Sequence, residues 1–115
     1  MKETEITRQI LDFLKFCKVF AWRNNTRTVW VAGRPIKFGI VGGGDIIGVL
    51  PGGRFLSIEV KSPKGQTAKK RAEAQEQFRD AINAAGGLAI VARSVEEVAE
   101  ELKKAGPFQK PAPKF

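Results

Sequence analysis

The chain has 115 residues, one Cys, no His and a formal net charge of +8 at pH 7. That length suits one domain with its own core, and the basic excess points to a polyanionic partner, nucleic acid foremost, over a merely solvated basic surface. An internal disulfide, His- or Cys-based zinc sites and Ser-His or Cys-His nucleophiles are all excluded, so any resident metal must be held by oxygen ligands.

The first element is a helix over about Thr4–Lys18. Ile6, Ile10, Leu14 and Cys17 recur at helical spacing, Thr4 is the expected N-cap, and Glu5 lies in the first turn. Cys17 continues the apolar stripe and is read as core. Strands are expected over Val19–Arg23 and Thr28–Ala32, with Gly33-Arg34-Pro35 as a turn. Arg23, Arg27, Arg34 and Lys37 lie in this region without an acid, among Trp22, Trp30 and Phe38. The cations suit phosphate contact. The rings could stack on bases, but Trp in strands usually packs inward, and core is the favoured reading. The glycines of Ile40–Gly44 form neither a phosphate-binding loop nor a dinucleotide fingerprint, so no nucleotide cofactor is expected.

The stretch from Gly42 to Lys61 reads as a hairpin turning at Pro51-Gly52-Gly53. With a three-residue loop, Leu50 pairs with Arg54, and counting back sets Asp45 across from Glu59. Opposed Cβ atoms stand roughly 4.5–5.5 Å apart, close enough for two carboxylates to repel and for a divalent cation to relieve them. Glu59 and Lys61 share a face by strand alternation. Both faces of the hairpin are largely apolar, so helices are expected on each side.

Ser62–Gln66 reads as a loop, followed by a helix from Thr67, its expected N-cap, to Ala85, before Gly86-Gly87. Its inward stripe is Ala68, Ala72, Gln75, Phe78 and Ile82, with Gln75 the polar exception. Lys64, Lys69, Lys70 and Arg71 join Lys61 as a cationic run suited to phosphate. Leu88–Ala92 is a short buried strand, and the span from Arg54 to Ala92 makes a parallel βαβ crossover. Ser94 and Glu97 form a capping box for a last helix ending near Lys104. Residues 1–105 thus form one domain, and 106–115 a basic, Pro-rich tail. No apolar run approaches the roughly 20 residues needed to span a bilayer, and the N-terminus lacks a signal-peptide core. A cytoplasmic protein without a membrane partner is expected.

Asp45, Glu59 and Lys61 together suit metal-assisted phosphodiester hydrolysis. The carboxylates would hold Mg²⁺, or Mn²⁺ in its place, with the Val60 carbonyl as a further ligand, and Lys61 would orient water or stabilise developing charge. The plain alternative is a strand end carrying a Glu-Lys pair near a turn Asp.

These residues carry a family resemblance. Gly43-Gly44-Asp45, the apolar hairpin and Glu59-Val60-Lys61 resemble the PD-(D/E)xK nuclease superfamily. Gln75, Ala85-Gly86-Gly87 and Val91 through Glu97 resemble, more narrowly, its virus-type replication-repair nuclease (VRR-NUC) domain, over nearly the whole chain. The resemblance implies an α/β restriction-endonuclease-like core, a central mixed sheet flanked by helices in the order α-β-β-β-α-β-α. It makes Asp45 and Glu59 metal ligands, Lys61 the catalytic lysine, Gln75 a site residue, and Glu5 the candidate acid from the first helix. It implies a Mg²⁺-dependent endodeoxyribonuclease for branched DNA such as Holliday junctions, a homodimer, in a bacterial cell or a phage-infected host. The alternative is an inactive basic DNA-binding module of the same fold. One departure stands out: Gly44 occupies the place of the superfamily's proline.

Overall fold

The computed structural model describes residues 1–24, 28–37 and 43–105. Arg27, Phe38 and the expected tail 106–115 lie outside the described residues. Helix α1 (Glu3–Phe16) is organised by Ile6, Ile10 and Leu14, which recur every four residues and are all buried. It starts one residue earlier than the sequence suggests. Lys2 is the N-cap and its carbonyl accepts from the Glu5 and Ile6 amides, so Thr4 lies in the first turn and caps nothing. Cys17 is half-buried against the core, as expected.

Strand β1 (Phe20–Arg23) follows, then β2 (Thr28–Val31) and β3 (Arg34–Lys37). The sequence suggests a turn at Gly33-Arg34-Pro35, whereas Arg34 and Pro35 open β3. The turn is Ala32-Gly33, both residues with positive φ (51° and 77°), a two-residue reversal whose twist matches a hairpin. β2 and β3 form a separate two-stranded sheet, which tolerates Pro35 because a hairpin strand has a free edge.

The main sheet contains β1, β4 (Ile46–Leu50), β5 (Arg54–Val60) and β6 (Leu88–Ala92) in the order β1-β4-β5-β6. The first two pairings are antiparallel and β5 with β6 is parallel, through helix α2 (Lys69–Ala84). The protein is therefore α/β with a mixed central sheet flanked by helices. Pro51-Gly52-Gly53 is a three-residue loop, Leu50 pairs with Arg54, and the register is the expected one through Ile46 and Ile58.

Alternation splits the sheet into two unlike faces. Ile46, Leu50, Leu56, Ile58 and Val60 turn toward α1 and toward Val98 and Leu102 of helix α3 (Val95–Lys104), where they make the core. Ser94 caps α3 by accepting from the Glu97 amide, and Glu97 returns a carboxylate oxygen to the Arg93 amide. The opposite face is covered on its β6 side by α2, of which only Gln75 is buried; Ala68 of the expected stripe is exposed and is the N-cap. Helix cover over the hairpin is thus complete on one face and partial on the other. No helix among the described residues is long and apolar enough to cross a membrane.

Candidate active site

Three elements converge at the end of β5 remote from the hairpin turn. β5 delivers Glu59 and, one residue past its end, Lys61; the segment before β4 delivers Asp45, and α2 delivers Gln75. Glu59 sits on the face opposite Ile58, only 6% exposed, and Gln75 is buried above it at 3%. The Gln75 Nε2 donates to Glu59 Oε1 at 2.7 Å, and Lys61 Nζ donates to Gln75 Oε1 at 3.2 Å. Lys61 Nζ also donates to the Thr67 hydroxyl.

Regular strand pairing ends at Ile46 and Ile58, one step short of Asp45. The Asp45 amide donates to the Ile58 carbonyl at 2.8 Å, and its carboxylate Oδ2 accepts from the Val60 amide at 2.7 Å. The local offset leaves both carboxylates in one open cleft of about 220 Å³, lined also by Glu3, Val60, Gln66 and Arg71. The path of the chain calls for glycine at residue 44. A Cβ at this position would press on the Ser57 hydroxyl and stand 3.0 Å from the Ile58 carbonyl oxygen. The strand reaches the site by a path too close to β5 for any side chain.

The electrostatics follow from this packing. Burial, and then the Asp45 charge beside it, push the Glu59 carboxyl up to about 7, against the pull of Lys61, Arg71 and Arg79. Burial also raises Asp45; its Val60 hydrogen bond opposes this and the Glu3 charge reinforces it. Both shifts have burial as their first cause, and the two acids oppose each other's ionisation. Among the described residues no group of three or more His, Cys, Asp or Glu is placed to hold a metal. Mg²⁺ does not need one: it commonly keeps several waters and binds through one or two carboxylates plus substrate phosphate. Asp45 and Glu59 fit that mode, with the Val60 carbonyl as the further oxygen expected from sequence.

Other expected residues are placed differently. The first-helix acid at the cleft is Glu3, not Glu5. Both are exposed, but Glu3 precedes Ile6 and Thr7 by three and four residues and lies on their side of the helix at the cleft rim, while Glu5 lies about 200° around the helix from it. Of the expected phosphate-binding cations among the described residues, Arg71 joins Lys61 in lining the cleft. Lys64, Lys69 and Lys70 are exposed nearby in sequence on the loop and first turn of α2, Arg23 is exposed at the end of β1, and Arg34 is exposed on the separate hairpin. Arg27 and the side chain of Lys37 lie outside the described residues. The favoured core placement of the tryptophans is overturned: Trp22 is 44% exposed and Trp30 69%. Trp22 turns to the sheet face that α2 does not reach, opposite the core side where Ala21 packs, and Trp30 lies on the separate two-stranded sheet.

Thr67 was readable only as an N-cap; α2 begins two residues later, which frees its hydroxyl for Lys61. The loop between them is tied down by Arg93, whose guanidinium donates to the carbonyls of Ser62 and Gly65. Comparison with protein-family models, with curated proteins and with solved structures finds no match to this chain.

Proposed function

We propose that the chain is a Mg²⁺-dependent DNA endonuclease of the kind its sequence resembles, acting on branched DNA such as Holliday junctions, as a homodimer. The observation that carries this reading is the hydrogen-bonded series Glu59–Gln75–Lys61–Thr67 beside Asp45, in a cleft that also holds Arg71. A carboxylate pair and a positioned ammonium are the complement that phosphodiester hydrolysis requires.

A bound Mg²⁺ would polarise the phosphate and acidify water at Asp45 and Glu59. Gln75 holds the Glu59 carboxylate in one orientation by its amide hydrogen bond. Thr67 and Gln75 hold the Lys61 ammonium, whose remaining proton is directed to a phosphate oxygen or to the attacking water. Arg71 neutralises phosphate charge as the new P–O bond forms and the old one breaks, the leaving oxygen taking a proton from solvent. Paired nicks across a four-way junction need two symmetric sites, which a two-fold dimer supplies.

The test is incubation with labelled four-way junction, flap and linear duplex in Mg²⁺, Mn²⁺ or EDTA. Metal-dependent cleavage, lost in Glu59→Ala and in Lys61→Ala, is expected. Binding without cleavage in every metal would establish the inactive DNA-binding module instead. Equal cutting of all three substrates would remove the branched-DNA preference, and a monomer by light scattering would remove the dimer.

A further inference from the structure

The sheet face that α2 leaves open is lined with exposed rings. Phe20 is 72% exposed, Trp22 44% and Phe55 38%, and the Phe20 and Trp22 rings pack at 5.3 Å between centroids, tilted by 49°. Cross-strand pairing puts them in one field: Phe20 is opposite Val49, Val49 opposite Phe55, and Trp22 opposite Ile47. Ile47 is followed, one same-face step back along the chain, by Asp45. A two-residue step is about 6.8 Å and the next strand about 4.8 Å away, so Trp22 lies within one or two nucleotides' reach of the carboxylate pair.

We propose that this open face, centred on the Phe20–Trp22 pair, stacks an unpaired nucleobase of a single strand whose backbone runs on into the cleft. The placement rests on the nuclease reading for its direction, since the cleft is where the phosphate would lie. Three observations select a nucleic-acid strand as occupant. First, flat, tilted, solvent-facing rings offer a π-surface to any base, and stacking of this kind is tolerant of sequence. Second, the strand would run toward a cleft that presents Lys61 and Arg71, and Arg23 is exposed one residue from Trp22; a phosphate backbone along this path would neutralise these cations. Third, the ring field is continuous with the cleft on the same sheet face. A branched substrate supplies what the face would take, because bases at a junction or flap are freed from pairing.

The test uses the full chain in EDTA, so that no cleavage intervenes. Trp30→Phe leaves Trp22 as the only tryptophan; oligothymidylate should quench its emission saturably, and no quenching would overturn the proposal. With a labelled oligothymidylate, Trp22→Ala should weaken binding about ten-fold, and Trp22→Phe much less, as expected for loss of one stacked base. Unchanged single-strand binding by Trp22→Ala, or an equal loss on blunt duplex, would overturn it. So would a dimer that Trp22→Ala converts to monomer, which would assign the face to a second copy. Should Trp22→Ala fail to fold, the quenching arm still decides. Quenching without cleavage in metal sinks the nuclease reading alone; cleavage without quenching sinks this one alone.

Discussion

Glu59→Gln should make the protein more stable, and only above mildly acidic pH. In the fold the Glu59 carboxyl is raised from the ordinary 4.5 to about 7, by burial first and by Asp45 second. Below about pH 4.5 native and unfolded chains both carry the proton, and the site costs nothing. Between that value and about 7 the unfolded chain releases the proton while the native one keeps it, so stability falls as pH rises. Above about 7 the native carboxylate is ionised against its surroundings and the full cost is present. A gap of about 2.5 in pH, at about 1.36 kcal/mol each, sets that cost near 3 kcal/mol as a ceiling. Gln keeps the oxygen that accepts from Gln75 Nε2 and never ionises. Urea unfolding followed by circular dichroism in EDTA, from about pH 5 to about pH 8, should show the variant ahead of wild type by a margin growing toward about 3 kcal/mol. A margin that is constant with pH, or that shrinks as pH rises, would refute the reasoning.

The same experiment with Mg²⁺ at about pH 8 should restore stability to wild type and do little for Glu59→Gln, because only the native wild-type pair binds the ion; equal responses would separate the ion from this pair. Thr67→Val should cut cleavage about ten-fold or more, about 1.4 kcal/mol in the barrier, with Thr67→Ser near wild type and thermal stability unchanged. Gly44→Ala should destabilise by about 1–3 kcal/mol, the usual cost of forcing an atom into a packed site, read from the same urea curves; an unperturbed midpoint would contradict the close approach to Ser57 and Ile58. Arg54 donates to the carbonyls of Gly86, Gly87 and Ala105. Arg54→Ala should therefore cost about 2 kcal/mol, and Lys in its place should recover little, since a point charge cannot reach three carbonyls at once.

The hairpin was legible because its information is local: a three-residue loop fixes the register, and alternation then sorts Ile58 from Glu59 without any knowledge of the rest. The α1 and α3 stripes were legible for the same reason, as was the Ser94 cap. What sequence misplaced depends on where elements begin and on what covers them. Starting α1 at Glu3 rather than Thr4 makes Glu3 helical and sets it at the cleft, on the side of Ile6 and Thr7, while Glu5 lies on another side under either start. Starting α2 at Lys69 turns Thr67 from a cap into a partner of Lys61. The tryptophans went astray because strand propensity says that a ring fits a pleated surface and nothing about whether a helix lies over it. β3 was missed because Pro35 reads as a turn unless the positive φ of both Ala32 and Gly33 is known.

Gln75 has a consequence for how the site could be lost. A carboxylate and an ammonium two residues apart on one strand have every electrostatic reason to close on each other, yet Glu59 and Lys61 meet only through the amide of Gln75. The amide acts as a spacer: one end occupies a single oxygen of Glu59, the other a single proton of Lys61, and with Thr67 taking a second proton, the other carboxylate oxygen and the last ammonium proton stay available to a ligand. Shortening residue 75 would let the pair collapse into an ordinary salt bridge, contented and inert. Drift at this position would then remove the proposed chemistry while both charged residues stayed in place, so their presence in a sequence would not by itself mark a working site.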